Sequence, residues 1–289
     1  MEIGGWDIAA ALAKAVTYAA TLGAAGAVFF TIHCGALLRD YQRVTVRRLI
    51  GVLAGTAAAL SGLRILLLGG SMGGDASGMV DGAFMSMILG GGEGRATGLR
   101  IAGLFLACFA TSKNPAFRAP AVVGAIIAAT SFAWVGHAHG LEHNTASSLL
   151  LGLHLLCAAF WLGALPPLWI IAAGGDEAQI AAAAARFGKL AVVIVALLLA
   201  AGASLLWMFI AAADKFWNSD YGGMMAIKLL AVAGILGLAA LNKLKLTPKL
   251  LSRHAGAVRS FRRSVLGEIF IGALILSITA ALTTLSGPP

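Results

Sequence analysis

The sequence predicts an all-α polytopic membrane bundle of about eight transmembrane helices, with both termini on the periplasmic side of a bacterial inner (plasma) membrane. Three observations carry this expectation. Hydrophobic residues make up 60% of the 289 and charged ones 11%, against about 25% charged in a soluble domain. The chain therefore lacks the polar surface to cover itself in water. Eight apolar runs approach the roughly 20 residues a helix needs to cross about 30 Å of hydrocarbon. Lastly, Lys and Arg crowd alternate connections between those runs. Little chain is left for a soluble domain, so 1–289 reads as one membrane domain, with an N-terminal four-helix half, 1–145, and a C-terminal half, 146–286.

The spans are expected near 12–38, 49–68, 97–112, 119–137, 146–173, 188–213, 222–241 and 264–286. Met1 to Asp7 has neither a basic n-region nor a small-residue cleavage site, so the first span is expected to direct insertion itself. The connection 69–96 is long and rich in glycine and methionine. Within it Val80–Leu89 is apolar but too short to cross, which predicts an interfacial or re-entrant element. The third span is short. The fifth contains Pro166-Pro167, which frees backbone carbonyls and predicts a kink. Abundant glycine and alanine suit close helix–helix packing.

Charge sets the orientation. Arg39, Arg43, Arg47, Arg48, Lys113, Arg118, Arg186, Lys189, Lys243, Lys245, Lys249, Arg253, Arg259, Arg262 and Arg263 fall in one set of connections. The alternate set, with the N-terminal end, holds Lys14, Arg95, Arg100 and Lys215. This asymmetry puts the first set in the cytoplasm and both termini outside. It also accounts for the formal charge of +9 without nucleic acid, and the basic stretch 243–263 is expected to touch anionic lipid. No phosphate-binding loop, CxxC pair or nucleophile elbow occurs, so no enzyme is expected.

Residues able to hold a soft metal are unevenly placed. Apart from the initiator, the methionines are Met72, Met79, Met85, Met87, Met208, Met224 and Met225, each in an outer loop or at the outer end of a span. A thioether suits Cu(I) and needs no deprotonation. Any single methionine reads more simply as a gap filler; the grouping is what suggests copper. His137, His139 and His143 crowd one outer loop, where imidazole could bind copper or zinc or simply be solvated. His154 lies well inside span five, with Cys157 and Trp161 on the same helical face. An intramembrane histidine is a candidate functional residue, the alternative being a hydrogen bond between helices. His33, Cys34 and Cys108 repeat imidazole and sulfur near the inner ends of spans one and three, with ordinary packing an equal reading. An odd number of cysteines inside apolar runs gives no disulfide framework. Arg64, Lys228 and Glu268 also lie within spans, and depth argues against pairing Glu268 with either cation.

The run His154-Leu-Leu-Cys-Ala-Ala-Phe-Trp161-Leu162-Gly163-Ala164-Leu165 resembles the CopD/PcoD family of copper-resistance membrane proteins, in which this helix reads His, six apolar residues, then Trp-Leu-Gly-Gly-Leu. The resemblance continues through Arg186-Phe187, Tyr221-Gly222 with Lys228, Asn242, Pro248 and Glu268, covering about 146–286. The N-terminal half resembles the family mainly in hydropathy and in Gly136-His137. Ala164 departs from the second glycine, and no CopC-type β-domain is visible, so any such carrier is expected as a separate partner. The resemblance implies copper transport across, or delivery at, the inner membrane, and His154 as a metal ligand. Two alternatives stand: a b-type cytochrome holding haem between His137 and His154, or a surface that hands copper to a periplasmic carrier without flux.

Overall fold

A computed structural model describes residues 4–134, 144–211 and 219–285. Among the described residues ten α-helices follow one another: α1 Gly5–Cys34, α2 Asp40–Gly73, α3 Gly82–Gly90, α4 Gly92–Ala107, α5 Arg118–Thr130, α6 Asn144–Gly174, α7 Glu177–Ala211, α8 Asp220–Leu241, α9 Thr247–Leu251 and α10 Ala257–Leu282. The described residues contain no strand. Local chemistry sets several of the boundaries. Gly74 ends α2 in the left-handed conformation, at φ +80°, that a side chain resists. The Asp81 carboxylate accepts from the Ala83 and Phe84 N–H groups to start α3. Ser219 Oγ accepts from Gly222 N at 3.1 Å to start α8.

Seven helical segments are long and apolar enough to cross a membrane: 5–37, 40–73, 115–134, 145–174, 177–208, 220–251 and 257–282. The expected span near 97–112 is α4 with its 3-10 continuation to Thr111, a helix of 16 residues that is not among those seven. Its first turn holds Glu93, paired with Arg64 of α2 at 3.2 Å. Just past its far end, the Ser112 carbonyl accepts from Arg47 Nη2 at 3.1 Å. Arg47 and Arg64 stand about 25 Å apart along α2, so α4 runs antiparallel to it across most of an apolar layer. The expected short element between α2 and α4 is α3.

Several boundaries differ from expectation. Helix α7 begins at Glu177 rather than near 188, so Arg186 and Lys189 sit on a helix extended past the hydrocarbon. Met72 belongs to the last turn of α2. Lys14 and Arg100, counted above with the outer connections, lie inside α1 and α4, and Arg100 is only 1% exposed. Helix α6 continues through Pro166-Pro167. These prolines have no N–H to give the carbonyls of Leu162 and Gly163, so the helical ladder opens there.

The two termini share one end of the bundle: Lys14 Nζ donates to the Thr283 carbonyl at 2.9 Å. At the opposite, basic end, Arg39 pairs with Asp176 and Tyr41 donates to the Gly174 carbonyl. These contacts tie the turn after α1 to the turn after α6. Helix α1 is central, touching α2, α4 and α5 on one side and α6 and α10 on the other. Its crossing with α6 is made by Gly26 and Gly163; a Cβ on Gly26 would strike the Ala159 carbonyl and the Gly163 backbone. Lipid tails are as apolar as leucine, so such close approach, rather than escape from water, holds membrane helices together. Around the crossing lie Leu22, Val28, Phe30, Trp161, Leu165 and Ile171, all buried.

Candidate functional site

In the C-terminal half the polar side chains form two layers. The layer nearer the termini is built on His154, ten residues into α6 and so about 15 Å from its start. Its Nδ1 lies 3.1 Å from the Leu198 carbonyl of α7. A carbonyl only accepts, so Nδ1 carries the proton and Nε2 keeps the lone pair that a metal would use. Gly202, one turn further along α7, makes room for the ring: its missing Cβ would lie 3.0 Å from His154 Cε1. Lys228 of α8 stands close enough for its charge to act on the imidazole. The histidine is thus oriented by backbone, as a ligand requires, with a cation beside it.

The second layer is nearer the basic end. Glu268 of α10 is 3% exposed and is the only buried carboxylate among the described residues. It accepts a hydrogen bond from Asn242 Nδ2 and another from the Trp161 indole. These three side chains come from α10, from the end of α8 and from α6. Side chains on a helix lean toward its N-terminus, which lets Trp161 reach up to the level of Glu268. Asn242 opens a five-residue π-helix, Asn242–Leu246, and Thr247 Oγ1 bonds back to its carbonyl at 2.8 Å. Such wide turns recur at functional positions. Asn242 Oδ1 is buried with no hydrogen-bond partner, leaving an acceptor oxygen beside the carboxylate.

The sequence-predicted metal residues are not drawn into one place. Met79 and Met85 press on Gly70 and Gly69 at the end of α2, while Met72 and Met87 are exposed. Met224 and Met225 join a separate cluster with Tyr221 and Leu282 at the same end of the C-terminal half. Cys34 and Cys157 are packed in the large core and Cys108 against a different cluster, and all three are free thiols. His33 Nε2 lies 3.2 Å from the Arg186 carbonyl, a helix–helix tie at the basic end. His137, His139 and His143 lie outside the described residues. Among the described residues, no three His, Cys, Asp or Glu side chains gather as a metal-binding group.

Arg100 carries weight that sequence reading missed. Its Nε donates to Ser131 Oγ at 3.1 Å and its Nη1 to Ser61 Oγ at 3.4 Å, and the guanidinium lies 3.8 Å from the Phe132 ring centroid. The signal was present as an arginine four residues into a span, in a position easily read as a loop charge.

Residues 6–142 match the family described as copper resistance protein D-like, N-terminal domain, and residues 181–282 match copper resistance protein D. No curated protein and no solved structure matches the chain. The N-terminal half, whose likeness in sequence rests mainly on hydropathy, is matched over the longer stretch. His154, Trp161 and Gly163 fall between the two matched segments, while Lys228, Asn242 and Glu268 fall inside the second. A multi-pass helical bundle matched by both parts of one family, this chain belongs to the copper resistance protein D (CopD) family and serves in copper resistance and homeostasis.

Proposed function

We propose that the protein is a copper transporter rather than an enzyme, taking Cu(I) from the periplasmic side and passing it through the C-terminal half. The observation that supports this most is the placing of Glu268, the one buried carboxylate among the described residues, on the basic side of His154. A permeating cation needs favourable sites weak enough to leave. Sulfur of Met224 and Met225, the His154 Nε2 lone pair, and the oxygens of Glu268 and Asn242 supply such sites in order along α6, α8 and α10. Thioether and imidazole suit Cu(I). Cys34 and Cys108 sit in separate packed clusters, so this route does not use them. The basic end faces the cytoplasm in this reading. A CopC-like periplasmic carrier would deliver the metal to the termini end.

The test is Cu(I) uptake into proteoliposomes, with His154→Ala beside the wild type, together with metal content and an absorption spectrum of the purified protein. Uptake that falls strongly in the variant supports the route. Unchanged uptake would sink it, a Soret band would favour a cytochrome, and metal bound at the surface without flux would favour hand-over to a carrier.

A further inference from the structure

The N-terminal half buries positive charge that its own side chains do not balance. Lys14 of α1, Arg64 of α2 and Arg100 of α4 act on one another electrostatically, and Glu93 is the only carboxylate acting on them. Arg64 is 7% exposed and Arg100 1%. The other acids near this end are engaged elsewhere: Asp7 accepts from the Gly4 N–H, Asp75 from Ser77, and Asp81 from Ala83 and Phe84. Three cations against one carboxylate, inside an apolar bundle, leave positive charge whose desolvation is uncompensated. One donor is also left over. Arg64 gives Nη2 to Glu93, but its Nε is buried with no partner. Thr21, on the face of α1 that carries Lys14 and Tyr18, has a buried hydroxyl with no partner either.

We propose that this cluster is a binding site for a small inorganic anion of the chloride class, held between Lys14 and Arg64 with Arg100 behind them. The hydrogen-bond pattern favours a monatomic ion. Each guanidinium already has part of the fork that would grip a carboxylate or phosphate in pairs committed, Arg64 through Nη2 to Glu93 and Arg100 through Nε and Nη1 to Ser131 and Ser61. The donors that stand out are the Arg64 Nε–H, buried with no partner, and the ammonium hydrogens of Lys14 not given to Thr283, single donors from different helices that a spherical ion can accept from any direction. Glu93 is half-buried at the start of α4, so the site lies just below the termini end and opens toward it. The anion neutralises the N-terminal half; it is not a copper ligand, and its binding does not depend on the copper reading.

Equilibrium binding of radiolabelled chloride to the purified full chain tests the site, with thermal unfolding measured in chloride and in gluconate at equal ionic strength. A single saturable class of chloride sites, and a higher unfolding temperature in chloride, are expected in the wild type. Arg64→Gln should abolish binding, and Lys14→Gln, at the edge of the cluster, should weaken it several-fold if Arg64→Gln does not fold. Absence of saturable chloride binding in the wild type, or binding undiminished in a folded variant, would overturn the proposal.

Discussion

The two halves of the bundle bury different sets of ionisable groups. Helices α1, α2, α4 and α5 of the N-terminal half enclose Arg64 and Arg100 with Lys14 at their edge, while the C-terminal half encloses Glu268 and orients His154. A monovalent cation crossing the first would meet Arg100 and the Arg64–Glu93 pair; crossing the second, it would meet a carboxylate, an amide oxygen and an imidazole, with Lys228 near the imidazole. The halves share helix α1 as a common wall, so the difference is not one of helix packing. It lies in which polar groups that packing leaves inside, and it teaches that helices packed alike can enclose different chemistry in the two parts of one bundle.

The comparison can be broken most violently at the seam. Gly163→Leu would drive a branched side chain into the α1 backbone around Leu22 and Gly26, an overpacking cost of about 3 kcal/mol or more. Loss of the monodisperse peak in detergent size-exclusion is expected. Glu268→Gln keeps the volume and most hydrogen bonding but removes the one buried carboxyl group among the described residues. Copper flux should fall roughly tenfold, equivalent to about 1.4 kcal/mol, with folding retained by circular dichroism. His154→Met should sharpen the account of the upper layer: a thioether is also a soft ligand, so uptake should recover part of what His154→Ala loses. Lys228→Met removes the cation beside His154 and should raise the uptake rate a few-fold, measured in the same vesicles. The smallest effect is expected from Ala164→Gly. It restores the second glycine of the family-like run at a buried position and should lower stability by up to about 1 kcal/mol, with flux unchanged.

Much of the architecture was legible because hydropathy and length are local properties. Seven of the eight expected spans appear as helices long and apolar enough to cross, the third appears as the shorter α4, and the brief helix over 82–90 is present; all follow from stretches of fewer than about 35 residues. The alternating basic connections were legible too, and removing Lys14 and Arg100 from the outer set leaves only Arg95 and Lys215 there, which sharpens the asymmetry. Lys215 itself lies outside the described residues. The site was legible only in parts. Trp161, Asn242 and Glu268 each stood out as motif residues, but their meeting depends on three helices far apart in sequence. Depth along the spans correctly set Glu268 apart from Arg64, yet it could not name Glu93 as the arginine's partner, because the sequence leaves open an earlier start of the third helix within the glycine-rich stretch 88–96 but does not show which way its carboxylate faces. Arg100 was missed because a charge near the end of a short span looks the same in sequence whether it points to water or into the bundle.

The most direct test of the divided bundle sets two charge-neutralising variants side by side in proteoliposomes: Glu268→Gln in the C-terminal half and Arg100→Gln in the N-terminal half, each checked for folding. The account predicts that Cu(I) uptake falls with the first and persists with the second. Uptake that survives loss of Glu268 but collapses in a folded Arg100→Gln protein would contradict it and move the copper route to the N-terminal half.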